Sequence, residues 1–320
     1  MAFDALMILG PTASGKTALS LALAREIDAE VISVDSALVY RGMDIGTAKP
    51  TAEERGGVPH HLIDVRDIGD PYSVADFVAD CERLIPEIQA RGRLPILAGG
   101  TMLYANALTR GLSELPSTSP EVREAVMKEG EAKGWPAMHA ELAVFDPETA
   151  ARLKPADSQR IGRATEVYRM TGKTLSQLIA EQPQKKSAFS FLTVALIPGD
   201  RKKLHEKIAE RFDLMLEAGF LDEMKALMKE PGYDPASPAM RSVGYRQAIE
   251  FLEGKADRQV FRDRAVAATR QLAKRQITWL RSMPEKVAFD PFSEAMPGEA
   301  LRFLLAQEWK TGRKKLPAGS

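Results

Sequence analysis

The stretch LMILGPTASGKTALSLALA, which begins at Leu6, restricts the fold of this chain more than any other feature. Gly10, Gly15, Lys16 and Thr17 fit the pattern G-x-x-x-x-G-K-[ST], with Pro11, Thr12, Ala13 and Ser14 at the variable positions. The apolar run Ala5 to Leu9 reads as a short buried strand, and Lys16 to Glu26 has the apolar rhythm of a helix. In that order, strand, loop and helix make a phosphate site. Backbone N–H groups converge on phosphate oxygens, and the helix N-terminus adds its positive end. Lys16 is expected to neutralise terminal phosphate charge, and the Thr17 hydroxyl to sit on Mg²⁺. One question stays open at this point: the phosphate chain held here is either an energy source or a leaving group.

Further strand–loop–helix units follow. A second strand, Glu30 to Val34, ends at Asp35 and Ser36, and another, Leu94 to Ala98, ends at Gly99, Gly100 and Thr101. A short extended piece is expected from His61 to Val65, and Ser73 to Arg91 has helical spacing. Strands alternating with helices predict an α/β fold with a parallel, P-loop NTPase-like sheet flanked by helices. Ligands of such sheets lie beyond the carboxyl ends of the strands, which brings Asp35 and Thr101 to the crevice of the phosphate loop.

The pattern changes near Leu112. Ser119 and Pro120 form a cap and first-turn pair, and the chain through Gln184 reads as helices broken at GWP, FDP and TGK. Phe189 to Ile197 reads as a returning strand. We therefore expect a helical insertion over residues 113–188, carried on a core of residues 1–112 and 189–320. Lys203 to Lys229 and Gln259 to Arg281 are expected as long amphipathic helices, and the tail TGRKKLPAGS as disordered.

Bulk properties exclude several classes. Hydrophobic residues make up 44% of the 320 and charged residues 28%, as in soluble globular chains. No apolar run approaches the roughly 20 residues that span a bilayer, and MAFDALMILG lacks the basic leader of a signal peptide. The lone cysteine, Cys81, rules out an internal disulfide framework and suits the cytosol. His60 and His61 are adjacent, so in an extended segment they face opposite ways and cannot share a metal. Net charge is zero but uneven: residues 1–110 hold 10 basic against 15 acidic side chains, and residues 241–320 hold 16 against 9. The excess of +7 in the last segment suits a polyanion, or a solvated basic helix face.

Individual residues carry two readings each. Asp35 can hold a metal-bound water or accept a proton, or it can cap a turn. Thr101 can donate to a phosphate oxygen, or cap the helix that starts at Met102. Arg160 and Arg163 share a helix face suited to phosphates, with Arg169 on a neighbouring face; paired to Glu166 they are equally a solvated surface. Residues 241–281 hold 10 basic and 4 acidic side chains, with Tyr245 and Trp279 among Arg241, Arg246, Lys274, Arg275 and Arg281. Basic groups and flat rings together suit unstacked RNA bases, while Trp279 equally suits core packing. Arg211 carries no signal of its own.

In order along the chain, GPTASGKT, DSALVYRGMDIGTAKP, VPHHLIDV, YSVADF, LAGGTMLY, DSQRIGRA, RSVGYRQ and KRQITWLR resemble the tRNA dimethylallyltransferases, over nearly all of the chain up to Arg281. DSALVYRGMDIGTAKP is far more specific than the phosphate loop; many relatives have Gln where this chain has Leu38, and leucine also occurs there in the family. The resemblance implies that the loop Gly10–Thr17 and Arg211 hold the pyrophosphate of dimethylallyl diphosphate, with Mg²⁺ on Thr17, as a leaving group. It implies transfer to N6 of the adenosine 3′-adjacent to the anticodon in tRNAs reading U-initial codons. By the same analogy Asp35 is the general base and Thr101 bonds the oxygen at the breaking bond. It assigns contacts with the tRNA anticodon stem-loop to Asp35, Ser36, Ala37, Leu38 and Thr101. Further contacts fall on Gln159, Arg160, Ile161, Gly162 and Arg163, with Arg123 beside them. Arg241, Ser242, Val243, Gly244, Tyr245 and Arg246 form a third group. The last is Lys274, Arg275, Gln276, Ile277, Thr278, Trp279, Leu280 and Arg281. A cytoplasmic monomer is expected. A small-molecule kinase using ATP at the same loop is the alternative, and an RNA-binding module with a structural loop a third reading.

Overall fold

The computed structural model describes residues 2–111, 115–117, 119–181 and 187–311. The expected disorder of the tail and the end of the helical stretch near Gln184 lie outside the described residues. Two compact units form: Met1–Thr109 with Ser187–Ser320, and Arg110–Lys186.

The first unit opens with β1 (Ala5–Leu9), α1 (Lys16–Glu26), β2 (Ala29–Val34), α2 (Ala52–Arg55), β3 (His60–His61), α3 (Val74–Ala90), β4 (Leu94–Gly99) and α4 (Met102–Arg110). The second unit holds α5 (Pro120–Lys133), α6 (Trp135–Phe145), α7 (Pro147–Arg152), α8 (Ser158–Thr171) and α9 (Leu175–Glu181). The chain then returns as β5 (Phe191–Leu196), α10 (Arg201–Glu217), α11 (Phe220–Leu227), α12 (Tyr245–Leu252), α13 (Arg258–Ser282), β6 (Val287–Phe289) and α14 (Met296–Leu305).

The six strands make one parallel sheet in the order β3-β2-β4-β1-β5-β6. Its inner strands are buried on both faces, which is why they read as continuous apolar runs. Ala5, Met7 and Leu9 join the core on one face; Leu6 and Ile8 join the core on the other. Leu9 and Val34 both stand opposite Gly99, so β1, β2 and β4 end level with one another. Gly99 must be glycine: a Cβ there would meet the Val34 carbonyl oxygen at 2.1 Å. Cys81, on α3, is fully buried, and burial pushes its thiol pKa up.

Two expectations need correction. The extended piece from His61 to Val65 shrinks to β3, because Leu62 and Asp64 adopt φ of 61° and 56° and turn the chain out of the sheet. The helix expected from Lys203 to Lys229 is two, divided at Gly219 with φ 98°. The helix starts follow their caps: Ser73 and Asp76 form a capping box at α3, Asp157 accepts from Arg160 N at α8, and Gly172 ends α8 in the left-handed conformation.

The second unit has its own small core of Val126, Met138, Leu142, Ala150, Ile161 and Ala164. Asp146 ties its elements together by accepting from Thr149 N (3.0 Å) and Ser176 N (3.1 Å). Among the described residues, no helix is long and apolar enough to cross a membrane.

At the start of β2, the buried Glu30 carboxylate accepts from Arg91 Nη2 (2.7 Å) and Arg93 Nη1 (2.9 Å) and pairs with His61 Nε2 at 2.6 Å. The Arg91 hydrogen bonds, against the opposing effect of burial, bring its pKa down to about 2. This cluster's stabilisation is therefore complete above the ordinary carboxylate range and is lost as pH falls through 2. Glu30→Ala is expected to lower the unfolding free energy at pH 7 by about 1.5–3 kcal/mol, the worth of a hydrogen bond to a charged group. An unchanged urea midpoint would show that the cluster contributes nothing.

Candidate active site

Three neighbouring strand ends build the site. The chain leaves β1 as the phosphate loop, leaves β2 at Asp35, and leaves β4 at Gly100 and Thr101. The loop is shaped from within. Ala13 and Gly15 have φ of 61° and 76°, and the Ser14 hydroxyl donates to Pro11 O at 2.8 Å. Gly10 is held close: a Cβ would lie 2.5 Å from Ser14 Oγ. Lys16 Nζ also donates to Pro11 O, at 2.7 Å. Burial above all lowers the Lys16 pKa, Asp35 acts to raise it and Arg211 to lower it, and the balance brings it to about 8. Burial likewise lowers the Arg211 pKa against the pull of Asp35. Lys16, Asp35 and Arg211 thus share one electrostatic environment.

That environment is one wall of a crevice of about 560 Å³, lined by residues of the first unit. Thr12, Ala13, Lys16, Thr17 and Arg211 line its cationic end; Asp35, Ser36, Ala37, Leu38 and Thr101 line the adjoining wall. Asp35 does both things its position permits. Oδ1 accepts from Ala37 N (2.8 Å) and Leu38 N (3.4 Å), which caps the turn, and the carboxylate still faces the crevice. The Thr101 hydroxyl accepts from Ser36 N at 3.0 Å, so it ties the end of β4 to the end of β2.

The C-terminal basic segments divide by face. Arg241, Ser242, Val243, Gly244 and Tyr245 line the crevice together with Arg275, Gln276 and Trp279. Trp279 is 43% exposed, which decides against core packing. Tyr245 is the correction here: its ring is fully buried and its hydroxyl donates to Glu223, so it offers no open face to an RNA base. Ile277 and Leu280 are also buried, while Arg246, Lys274, Thr278 and Arg281 are exposed. Gln276 is turned inward. Its Oε1 accepts from Thr12 N (3.0 Å) and its Nε2 donates to Gly100 O (2.8 Å), so it bolts α13 to the phosphate loop and to the end of β4.

In the second unit, Gln159 and Arg160 are exposed, and Arg160 pairs with Asp157 at 2.6 Å. Ile161 and Gly162 are buried, and a Cβ added at Gly162 would touch the Trp135 ring at 3.6 Å. Buried Glu166 gathers Arg163 at 3.7 Å and exposed Arg123 at 3.9 Å, and Arg163 also donates to Pro116 O. Arg169 pairs instead with Glu129.

Sequence reasoning missed the apolar side of the crevice. Ile208, Phe212 and Met215 flank Arg211 on α10, and Met102, Leu103 and Leu272 join them. The signal was present in spacing, since Ile208, Arg211, Phe212 and Met215 lie on one helical face. It becomes readable only once Arg211 is known to point at the site. Gly46, Thr47, Ala48 and Pro50, which also line the crevice, were not singled out by sequence reasoning either. A crevice that is cationic and amide-rich at one end and apolar along its side suits an anionic ligand with a hydrocarbon tail. Among the described residues no cluster of three metal-ligating side chains exists. The hydroxyl of Thr17 and the carboxylate of Asp35 are nevertheless hard oxygen donors, as a Mg²⁺ ion held chiefly by substrate phosphates requires.

Comparison with known proteins agrees with this geometry. The IPP transferase family model matches residues 38–283. The tRNA dimethylallyltransferase of Burkholderia lata is 56% identical over 304 residues, covering 93% of this chain and 94% of that one. The chain belongs to the IPP transferase family. Another relative, the tRNA dimethylallyltransferase of Burkholderia thailandensis, is 58% identical over 286 residues, or 88% of each chain. The crystal structure of the tRNA isopentenylpyrophosphate transferase of Bacillus halodurans superposes with a TM-score of 0.68 at 37% identity, covering 94% of this chain and 95% of that one. A eukaryotic dimethylallyltransferase acting on tRNA gives 0.78 at 27% identity, covering 98% and 82%. Its fold is thus that of this family, α/β with a P-loop NTPase-like core. In this IPP transferase the run DSALVYRGMDIGTAKP wraps the buried Lys49, whose ammonium donates to Tyr40 O (2.8 Å), Asp44 Oδ1 (2.6 Å) and the Asp64 carboxylate.

Proposed function

We propose that this protein transfers the dimethylallyl group of dimethylallyl diphosphate to N6 of the adenosine 3′-adjacent to the anticodon, in tRNAs reading codons that begin with U. The observation that carries the reading is the crevice itself: Lys16 and Arg211 at one end, Asp35 beside them, and an apolar wall along α10 and α13. The names of the family relatives support the donor and the RNA acceptor.

In the reaction, a bond forms from adenine N6 to the allylic carbon and the carbon–oxygen bond to diphosphate breaks. The adenine amine is a weak nucleophile because its lone pair is delocalised into the ring, so the departing charge and the amine proton both need acceptors. Lys16, Arg211 and the N–H groups of the loop stabilise the charge that develops on diphosphate. The Asp35 carboxylate takes the N6 proton as general base. Thr101 orients the wall beside it. A Mg²⁺ ion would be held at this end of the crevice by the Thr17 hydroxyl, and would supply positive charge to neutralise the leaving group.

The target base must leave the anticodon-loop stack to reach the crevice. Trp279 provides a ring for stacking, and Arg241 and Arg275 meet the backbone near it. Arg123, Gln159, Arg160 and Arg163 in the second unit, residues 113–188 in the sequence reading, hold the anticodon stem. The activity belongs in the cytoplasm with its RNA substrate, and a monomer carries every residue named.

The test is transfer of radiolabel from dimethylallyl diphosphate to unmodified tRNA with Mg²⁺, against a parallel reaction with ATP and candidate metabolites. Label in tRNA is expected, with binding that weakens steeply as salt rises. ATP consumption stimulated by a small metabolite, without label in RNA, would replace the reading with a kinase.

A further inference from the structure

Glu223, on α11, belongs to none of the sequence motifs, yet its carboxylate is the most heavily engaged acceptor beside the crevice. Oε2 accepts from Asp44 N (2.9 Å) and Ile45 N (2.6 Å). Oε1 accepts from Gly46 N (3.1 Å) and from the Tyr245 hydroxyl (2.6 Å). A carboxylate offers about four lone-pair sites, and here three successive peptides and a phenol take them.

These peptides lead directly into Thr47. The Thr47 carbonyl accepts from Arg211 Nη2 at 3.4 Å, the one hydrogen bond of that guanidinium among the described residues. Gly46, Thr47, Ala48 and Pro50 then run along the crevice. The loop is seated tightly on the same support: a Cβ at Gly46 would lie 2.2 Å from the Phe220 ring and 2.7 Å from the Tyr245 ring. The far side is fixed separately by Lys49, through Tyr40 O and Asp44 Oδ1. Between those two anchors stands the carbonyl that aims Arg211.

We propose that Glu223 is a positioning residue for the diphosphate end of the site. It fixes peptides 44–46, and through them the Thr47 carbonyl, so that the Arg211 guanidinium stays in the crevice. The Tyr245 hydroxyl holds the carboxylate from the other side. This links the buried ring of RSVGYRQ to the loop of DSALVYRGMDIGTAKP through a residue in neither. The inference rests on the functional reading above, with Arg211 as a diphosphate ligand.

Glu223→Gln turns an amide NH₂ toward N–H donors and removes the charge. Tyr245→Phe removes one of the four bonds and leaves the ring packing. Steady-state transfer is measured with each substrate varied in turn, for both variants, alone and combined with Arg211→Ala. Glu223→Gln is expected to raise the KM for dimethylallyl diphosphate about tenfold, and Tyr245→Phe about threefold, with the KM for tRNA within about twofold. In the Arg211→Ala background neither change should add more than about twofold, because the group they act through is gone.

A purely structural role would instead lower the melting temperature and leave the donor KM unchanged, and that result overturns the proposal. So do effects that multiply with Arg211→Ala. If Glu223→Gln does not fold, Tyr245→Phe decides alone, and an unshifted donor KM in that variant is equally fatal. An unaltered protein that transfers no label overturns the functional reading, and this inference with it; active wild type with unaffected variants overturns only the inference.

Discussion

Asp35→Asn is expected to slow transfer by about 10²–10⁴, the usual contribution of a positioned general base, while tRNA binding stays near that of the unaltered protein. The choice of asparagine matters. Asp35 Oδ1 accepts from Ala37 N and Leu38 N, and an amide oxygen can take over both bonds. The turn that carries Ser36, Ala37 and Leu38 along the crevice therefore survives, and only the basicity is lost. Alanine would remove both functions and confuse them. Single-turnover rates at saturating donor and RNA, beside filter binding of unmodified tRNA, separate the two. Substantial turnover in Asp35→Asn would remove this carboxylate from the role of base.

Lys16→Ala is expected to lower kcat/KM for dimethylallyl diphosphate by about 10²–10³, the scale of losing one preorganised group at a developing anion. The pH dependence makes the test specific. Burial brings the Lys16 pKa down to about 8, so the ammonium form is present below that pH and lost above it. An anionic donor favours the ammonium form. In the unaltered protein kcat/KM for the donor should therefore be level below pH 8, apart from any acid limb, and fall about tenfold per unit well above it. Lys16→Ala has no such amine, and its alkaline limb should disappear. A limb that persists in the variant would assign the titration to another group.

Much of this architecture could be read before the structure. The phosphate loop, the strands ending at Asp35 and Gly99, and the cap at Asp157 are set by local rules. A five- or six-residue strand run, a glycine with φ above zero and an acceptor side chain leave direct marks in sequence. What could not be read depends on which face of a helix meets which neighbour. Trp279 and Tyr245 look alike as aromatic rings among arginines, and both border the crevice, yet the Trp279 ring is exposed and the Tyr245 ring is buried in the wall behind it. Gln276 sat among presumed RNA contacts, but its amide is spent on Thr12 N and Gly100 O. Arg211 had no signal because an arginine on an amphipathic helix is ordinary until its surroundings are known. The turn at Leu62 and Asp64 was missed for a simpler reason: left-handed backbone at a leucine defies the usual preference for glycine or asparagine.

The buried sulfur on α3 makes the molecule convenient to instrument. Cys81 is the sole cysteine of the chain, it is fully enclosed, and its raised pKa keeps the reactive thiolate scarce. Maleimide reagents should therefore find almost nothing to label in the folded protein. One cysteine introduced at an exposed position such as Lys154 would be the only site modified, with no native thiol to remove first. A single fluorophore attached there would follow the arrival and departure of RNA at the helical unit against a dark background.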